Sequence, residues 1–162
     1  MSIFPKEIFT ALQSVFSVIT YVDTVTVRKY RRINPPDFNY YCIIINPISA
    51  TAEKYDAGGQ RRVRYEIELV LLGKMFNGEE DAVMADSPTA SPPNVGILAM
   101  YEDVFTLLYK NDLGGKIELY PGLIELDTRT AFNVITMEDR EEFLVEMVIP
   151  YRPSGYRFLS VP

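Results

Sequence analysis

The sequence lacks histidine and contains a single cysteine among its 162 residues. Without histidine, the commonest metal ligand and the commonest general base at neutral pH are missing, which argues against most metalloenzyme and hydrolase functions. Cys42 has no partner for an internal disulfide and stands in the apolar run YYCIII, so we expect a small buried side chain and not a reactive thiol.

Long hydrophobic runs are also missing. The longest apolar runs, such as 42–45 and 70–72, are far shorter than the roughly 20 residues that a membrane-spanning helix needs. The N-terminus has no charged start followed by an apolar run and a small-residue cleavage site, so we do not expect a secreted protein.

Positive charge is in deficit, with 16 basic and 22 acidic residues and a net charge of −6. This balance opposes stable binding to nucleic acid, although it suits a surface past which DNA slides without adhering. Hydrophobic residues make up 48% and charged residues 23%, as in ordinary globular proteins. We expect one domain spanning 1–162.

Two segments carry the period of an amphipathic helix. The apolar positions of the first are Ile8, Phe9, Leu12, Val15, Phe16 and Ile19. Those of the second are Ile97, Leu98, Tyr101, Val104, Phe105 and Leu108. Each helix therefore has one apolar stripe that we expect to pack on a sheet, with Phe105 in the core.

Six segments are predicted to be strands: 22–30, 38–46, 61–72, 116–126, 131–137 and 142–150. The clearest is 61–72, where apolar side chains alternate with Arg62, Arg64, Glu66 and Glu68, as in a strand with one buried and one wetted face. The same alternation places Glu142 and Glu146 on a wetted face. Turn residues at 34–36 and 56–59 separate the first three strands.

The order of these elements predicts an α+β fold, a mostly antiparallel β-sheet with two amphipathic helices packed on it. The acidic and proline-rich stretch 75–94 is predicted to be a long, mobile surface loop. Residues 151–162 are predicted to extend past the last strand.

None of the short motifs indicates a cofactor or metal site. Gly58-Gly59 lacks the frame of a phosphate loop and precedes a strand, so a hairpin turn explains it. The acidic run Glu79, Glu80 and Asp81 lacks the spacing of a calcium loop and is typical of solvated loop charge.

Two functional alternatives rest on side-chain clusters. The cations Arg28, Lys29, Arg31 and Arg32, beside Tyr21, Tyr30, Tyr40 and Tyr41, resemble the composition of a single-strand nucleic-acid surface, although a protein contact fits these residues better. Carboxylate pairs, Asp127 with Glu125 or Glu142 with Glu146, could serve a small enzyme if one member were buried.

Charges of both signs share the strand 61–72. Arg61, Arg62 and Arg64 precede Glu66 and Glu68, so the exposed strand face carries cations and anions together. Such a face is either ordinary solvated surface or a surface complementary to a second copy displaced around a ring. The sequence leaves both interpretations open.

Taken in order, these features resemble the tail terminator and neck proteins of tailed bacteriophages. The resembling pieces are the helix KEIFTALQSVFSVI, the strand YYCIIINPIS entering EKYDAGGQRR, the strand VRYEIELVLLG, the helix ILAMYEDVFTLLYKN and the section LIELDTRTAFNVITMEDREEFLVEMVIPYR. The likeness covers most of the chain and rests on element order more than on invariant motifs.

The resemblance implies a structural virion protein without catalytic residues or cofactors. Such proteins form a hexameric ring on the head-proximal end of the tail tube, stop its polymerisation and provide the surface that docks to the head. The implied partners are further copies of the chain, the tube protein, the head connector or neck proteins and, in a contractile tail, the sheath. DNA would pass through the lumen without specific binding, and no membrane is involved.

The implied location is the tail-neck region of the finished virion and, during assembly, the host cytoplasm. A head-tail connector, stopper or other neck ring is the alternative within the same class. The residues expected at the subunit or tube interface are Arg61, Arg62, Arg64, Glu66, Glu68, Tyr55, Glu79, Glu80 and Asp81.

Overall fold

The computed structural model describes residues 6–31, 38–56, 60–74, 76, 78–117, 131–136 and 143–158. For 52–56, 60–62, 131–136, 143 and 156–158 it describes the backbone alone. The elements are α1 (Lys6–Phe16), β1 (Thr24–Val27), β2 (Tyr41–Asp56), β3 (Gln60–Gly73), α2 (Glu79–Met84), β4 (Asp86–Ser87), β5 (Asn94–Val95), α3 (Ile97–Leu108), β6 (Ala131–Thr136), β7 (Phe143–Tyr151) and β8 (Ser154–Phe158). Helices and a mostly antiparallel sheet confirm the α+β class.

The main sheet has the order β1-β2-β3-β7-β6, and β8 pairs with β3. Only the β1–β2 pair is parallel among the described strands. β7 pairs with one half of β3 and β8 with the other, in the same register on either side of Pro153. The N–H of Tyr65 donates to the carbonyl of Pro153 at 2.8 Å. β7 and β8 therefore continue one another along β3, and part of the segment expected beyond the last strand belongs to the sheet.

The long hairpin of β2 and β3 is the centre of the sheet. Pairing runs from Tyr41 opposite Gly73 to Asp56 opposite Gln60, so the turn predicted at 56–59 lies where the pairing requires it, although 57–59 are outside the described residues. The register shifts twice along β2, between Pro47 and Ser49 and again before Tyr55. Such bulges bend a strand and increase its twist.

The helices cover one face of the sheet and build the main core. β3 contributes the side chains predicted for its buried face, Val63, Tyr65, Ile67, Leu69 and Leu71. The predicted stripe of α1 is confirmed, since Ile8, Phe9, Leu12, Phe16 and Ile19 are all buried against this face. Amphipathic helices stabilise the fold mainly through this packing and much less through intrinsic propensity.

The second face of the sheet carries a smaller apolar cluster. Its buried members are Phe38, Cys42, Ile44, Val70, Leu72 and Leu144. Cys42 is fully buried, as predicted, and the loss of solvation raises the pKa of its thiol to about 12. The thiol is therefore protonated at neutral pH and unreactive.

The prediction for Glu146 is wrong. This residue is only 2% exposed, although strand alternation had placed it on a wetted face. The chain after β1 crosses this end of the sheet, and the hydroxyl of Tyr30 donates to the Glu146 carboxylate. A buried carboxylate needs such a partner. Glu142, predicted beside it, lies outside the described residues.

The stretch 75–94 contains more structure than its composition predicts. α2 buries Ala82 in the main core, and β4 pairs with β5 in a small ladder. The end of α2 lies against the start of α3, where a Cβ on Gly96 would come within 2.5 Å of the Val83 backbone. Glycine is required at this close approach.

Other predicted boundaries shift or fall outside the described residues. β1 is shorter than the predicted strand 22–30, and β2 is longer than 38–46. Of the strand predicted at 116–126, only 116 and 117 are described, and they lie in a turn in which the Lys116 N–H donates to Asp112.

Candidate functional site

The predicted charged strand face is present on β3, on the side of the sheet away from the helices. Arg64 is exposed, and Glu66 and Glu68 are half-buried. Arg61 and Arg62 lie in the same strand, but their side chains are outside the description. Successive side chains of a strand point to opposite faces of the sheet. Arg64, Glu66 and Glu68 therefore share this face, because the residues between them are needed for the core.

Polar partners on the neighbouring strands hold the two glutamates. Asn46 donates from Nδ2 to Glu68 Oε2 at 3.2 Å, and Ser49 donates from Oγ to Glu66 Oε2 at 3.2 Å. On the other side, Arg152 Nη2 lies 3.6 Å from Glu66 Oε1. We call Arg64, Glu66, Glu68 and Arg152 the charged strip.

The ion pair of the charged strip adds little to stability. The side chains of Arg152 and Glu66 are 40% and 44% exposed, so solvent screens their attraction and the pair contributes roughly 0 to 1 kcal/mol. The feature of the strip that matters for recognition is therefore its pattern of charge, because it presents anions and cations side by side on an open sheet face.

The acidic part of the predicted interface lies elsewhere. Glu79, Glu80 and Asp81 form the first turn of α2, on the helix-covered side of the sheet. Glu79 and Glu80 are exposed, and Asp81 Oδ2 accepts from Asn94 Nδ2 at 3.5 Å. Tyr55 lies near the tip of the β2–β3 hairpin, with its side chain undescribed. The expected set is therefore divided between two faces and the hairpin tip.

An exposed aromatic row on α3 was missed, because its central residue was assigned to the core. Phe105 is 40% exposed, so that assignment is wrong. Its ring centroid lies 6.1 Å from that of Tyr101 and 6.0 Å from that of Tyr109. The buried side of the helix is formed by Ile97, Met100, Val104 and Leu108. The spacing of aromatic residues at every fourth position was the signal that could have revealed this row.

The basic cluster has only part of the aromatic surface that the nucleic-acid alternative requires, and Arg32 lies outside the described residues. Tyr21 and Tyr41 are buried and meet edge to face with centroids 5.2 Å apart. Lys29 Nζ donates to the Pro47 carbonyl, which ties the cluster to the edge of β2. Two of the four tyrosines are therefore core residues and present no face on which a base could stack.

Two buried tyrosines have perturbed hydroxyl groups. The hydroxyl of Tyr21 donates to Asp103 Oδ2 at 2.6 Å, and burial, followed by this hydrogen bond, raises its pKa above the ordinary value. Burial raises the pKa of Tyr151 as well, and no hydrogen-bond partner for its hydroxyl is found in the described part of the chain. Both groups are neutral at physiological pH and belong to the core.

No group of three or more acidic, cysteine or histidine side chains within ligating reach occurs among the described residues. Within the same ranges, none of the helices has the length and hydropathy to span a membrane.

No protein-family model matches the chain. No curated protein matches it either.

Proposed function

We propose that this chain is a structural virion protein that forms a ring on the head-proximal end of a phage tail tube. The ring would end tube polymerisation and provide the surface that docks to the head. The order of helices and strands that carries the resemblance supports this proposal, and the described residues contain the two amphipathic helices and a mostly antiparallel sheet.

The observation that carries the proposal is the charged strip on the open face of the sheet. A subunit of a cyclic ring contacts its neighbours through two different surfaces, each of which must match the other. Neighbouring charges of both signs on Arg64, Glu66 and Arg152 can match an opposite arrangement on an adjacent subunit and reject a shifted one.

The aromatic row of α3 supports the same proposal from the other side of the sheet. Tyr101 and Phe105 lie one turn apart on α3, Tyr109 follows directly after the end of this helix, and Phe105 and Tyr109 are exposed by 40% and 49%. Tyrosine and phenylalanine are enriched in the buried centres of protein interfaces, where they supply apolar area with few rotatable bonds. A ring that binds both its own copies and a tube requires more than one such surface.

The experiment that tests the function is negative-stain microscopy of lysates from the parent phage lacking this protein. Overlong tubes, or headless tails of ragged length beside filled heads, are the expected result. Free tails of normal length beside leaking heads would move the protein to the connector side of the neck. Intact virions in normal number would refute the structural function, and complementation with the wild-type chain controls for effects on neighbouring genes.

A further inference from the structure

The outer half of the β2–β3 hairpin extends beyond the strands that flank its inner half. β1 pairs with β2 only as far as Ile45, and β6 pairs with β7 only as far as Val148. Among the described strands, none lies on the outer side of β2 from 46 to 56, or on the outer side of β8. Among the described residues, this part of the sheet is therefore a three-stranded arm with β3 in the middle and an edge on each side.

The backbone groups on the β8 edge follow from the alternation of an antiparallel ladder. Tyr65 donates to the carbonyl of Pro153, so Pro153 directs its backbone groups toward β3. The residues at alternate positions, Ser154, Tyr156 and Phe158, direct theirs to the outside. Because Pro153 faces inward, its missing N–H leaves no gap on this outer edge.

The same alternation defines the edge of β2. Since Tyr65 bonds to the β8 side, its neighbour Arg64 bonds to β2, where Thr51 lies opposite. Ala50 and Ala52, on either side of Thr51, then direct their N–H and C=O groups outward.

The two edges carry opposite charge. On β2, residues 46–56 contain the acidic Glu53 and Asp56 and the basic Lys54. On the other side, residues 149–158 contain Arg152 and Arg157 and no acidic residue. An edge with exposed backbone groups accepts an added strand, and complementary charge selects which strand it accepts.

We propose that adjacent copies of this chain join by pairing the outer edge of β2 in one copy with the outer edge of β8 in the next. Both strands run antiparallel to β3, so they are parallel to each other, and a rotated copy can extend the sheet without reversing its direction. The contact joins two different surfaces, and its repetition closes into a ring when the rotation between neighbouring copies divides a full turn evenly. The inference rests on the proposed function in one respect, since that function requires a ring.

The test is disulfide cross-linking of paired cysteine variants in the full chain. Thr51 and Ser154 both lie opposite Arg64, so their side chains share a face of the sheet. A parallel register that brings Thr51 beside Ser154 or Tyr156 of the next copy keeps the two positions on the same face of the continuous sheet. We expect T51C/S154C or T51C/Y156C to form a ladder of covalent oligomers under mild oxidation. We expect the buried Cys42 to form no disulfide under these conditions.

The controls separate this contact from other modes of association. The single variants T51C and S154C should give no ladder, and T10C/S154C, with Thr10 exposed on α1 on the helix side, should give none either. Covalent dimers from T51C alone would indicate pairing of two β2 edges and would overturn the head-to-tail arrangement. Circular dichroism would verify that each variant is folded.

Light scattering distinguishes failure of the interface from failure of the function. Rings that form without a ladder from either double variant would refute the edge pairing and leave the proposed function standing. A chain that stays monomeric at high concentration and gives no ladder would also refute the edge pairing. A ladder together with intact virions in the phage lacking the protein would support the interface and refute the tail-terminator function.

Discussion

Replacing Leu108 and Phe105 separately by alanine tests which side of α3 faces the sheet. Leu108 is 0% exposed and belongs to the main core, so its truncation should lower the free energy of unfolding by about 2 to 5 kcal/mol. Phe105 loses two ring contacts along the helix surface, each worth about 0.2 to 0.5 kcal/mol. The higher helix propensity of alanine offsets part of this loss, so the net effect should be about 1 kcal/mol or less.

The assay is urea unfolding followed by circular dichroism, with a thermal melt alongside. For a chain of this length, 1 kcal/mol corresponds to a shift of roughly 2 to 4 °C in Tm, so Leu108→Ala should lower Tm by about 4 to 20 °C. Phe105→Ala should lower it by about 4 °C or less. Equal losses in the two variants would contradict the orientation of α3. The measurements belong at a concentration where light scattering shows a monomer, because assembly could bury Phe105.

Three further predictions concern the core and the charged strip. Cys42 should react with a chromogenic disulfide reagent at pH 8 only after denaturation, because burial raises its pKa to about 12; rapid labelling of the native chain would contradict this. Tyr151→Phe should raise the unfolding free energy by about 1 kcal/mol or less at pH 7, since the buried hydroxyl lacks a described partner. Because burial holds the pKa of Tyr151 above its ordinary value, ionisation of this residue in the unfolded chain should lower the stability of the wild type as the pH rises through about 10, so Tyr151→Phe should lose less stability than the wild type in urea melts from pH 8 to 11. Arg64→Glu should weaken ring assembly in light scattering and change the unfolding free energy by only about 1 kcal/mol or less, because Arg64 is exposed, whereas Lys6→Glu, an equal charge change on exposed α1, should leave assembly intact.

The sequence predicts β3 well because a single period, the alternation of apolar and charged residues, determines which face of the sheet each side chain occupies. Alternation by two assigns Tyr65 and Ile67 to the core and Arg64 and Glu66 to the open face, and the register agrees at each position. A one-residue slip would have buried the charges, so this pattern leaves one solution.

Periodicity could not orient α3, because the helix is apolar on two sides. Met100 and Leu108 form one stripe with Ile97, while Leu98 and Phe105 form another. Both satisfy the helical spacing, and only the shape of the sheet surface decides which of them packs.

Local patterns also missed contacts that depend on distant segments. The alternation of its strand predicts that Glu146 is exposed to solvent, but the segment containing Tyr30 covers it. A proline such as Pro153 predicts the end of a strand. Its carbonyl nevertheless accepts a hydrogen bond from the N–H of Tyr65, and the pairing with β3 resumes in β8. The charged strip was predictable as a pattern on β3, whereas Arg152 joins it only through the pairing of β7 and β8 with β3.

The position of β8 has a consequence for the time course of synthesis. The pairing of β2 with β3 is local and can form as soon as that hairpin leaves the ribosome, whereas residue 60 pairs with residue 158 near the end of the chain. Closing so long a loop costs entropy and comes late in folding. A nascent subunit therefore presents the β2 edge before it has a β8 edge. If the proposed contact is correct, incomplete chains could enter a ring but never close it.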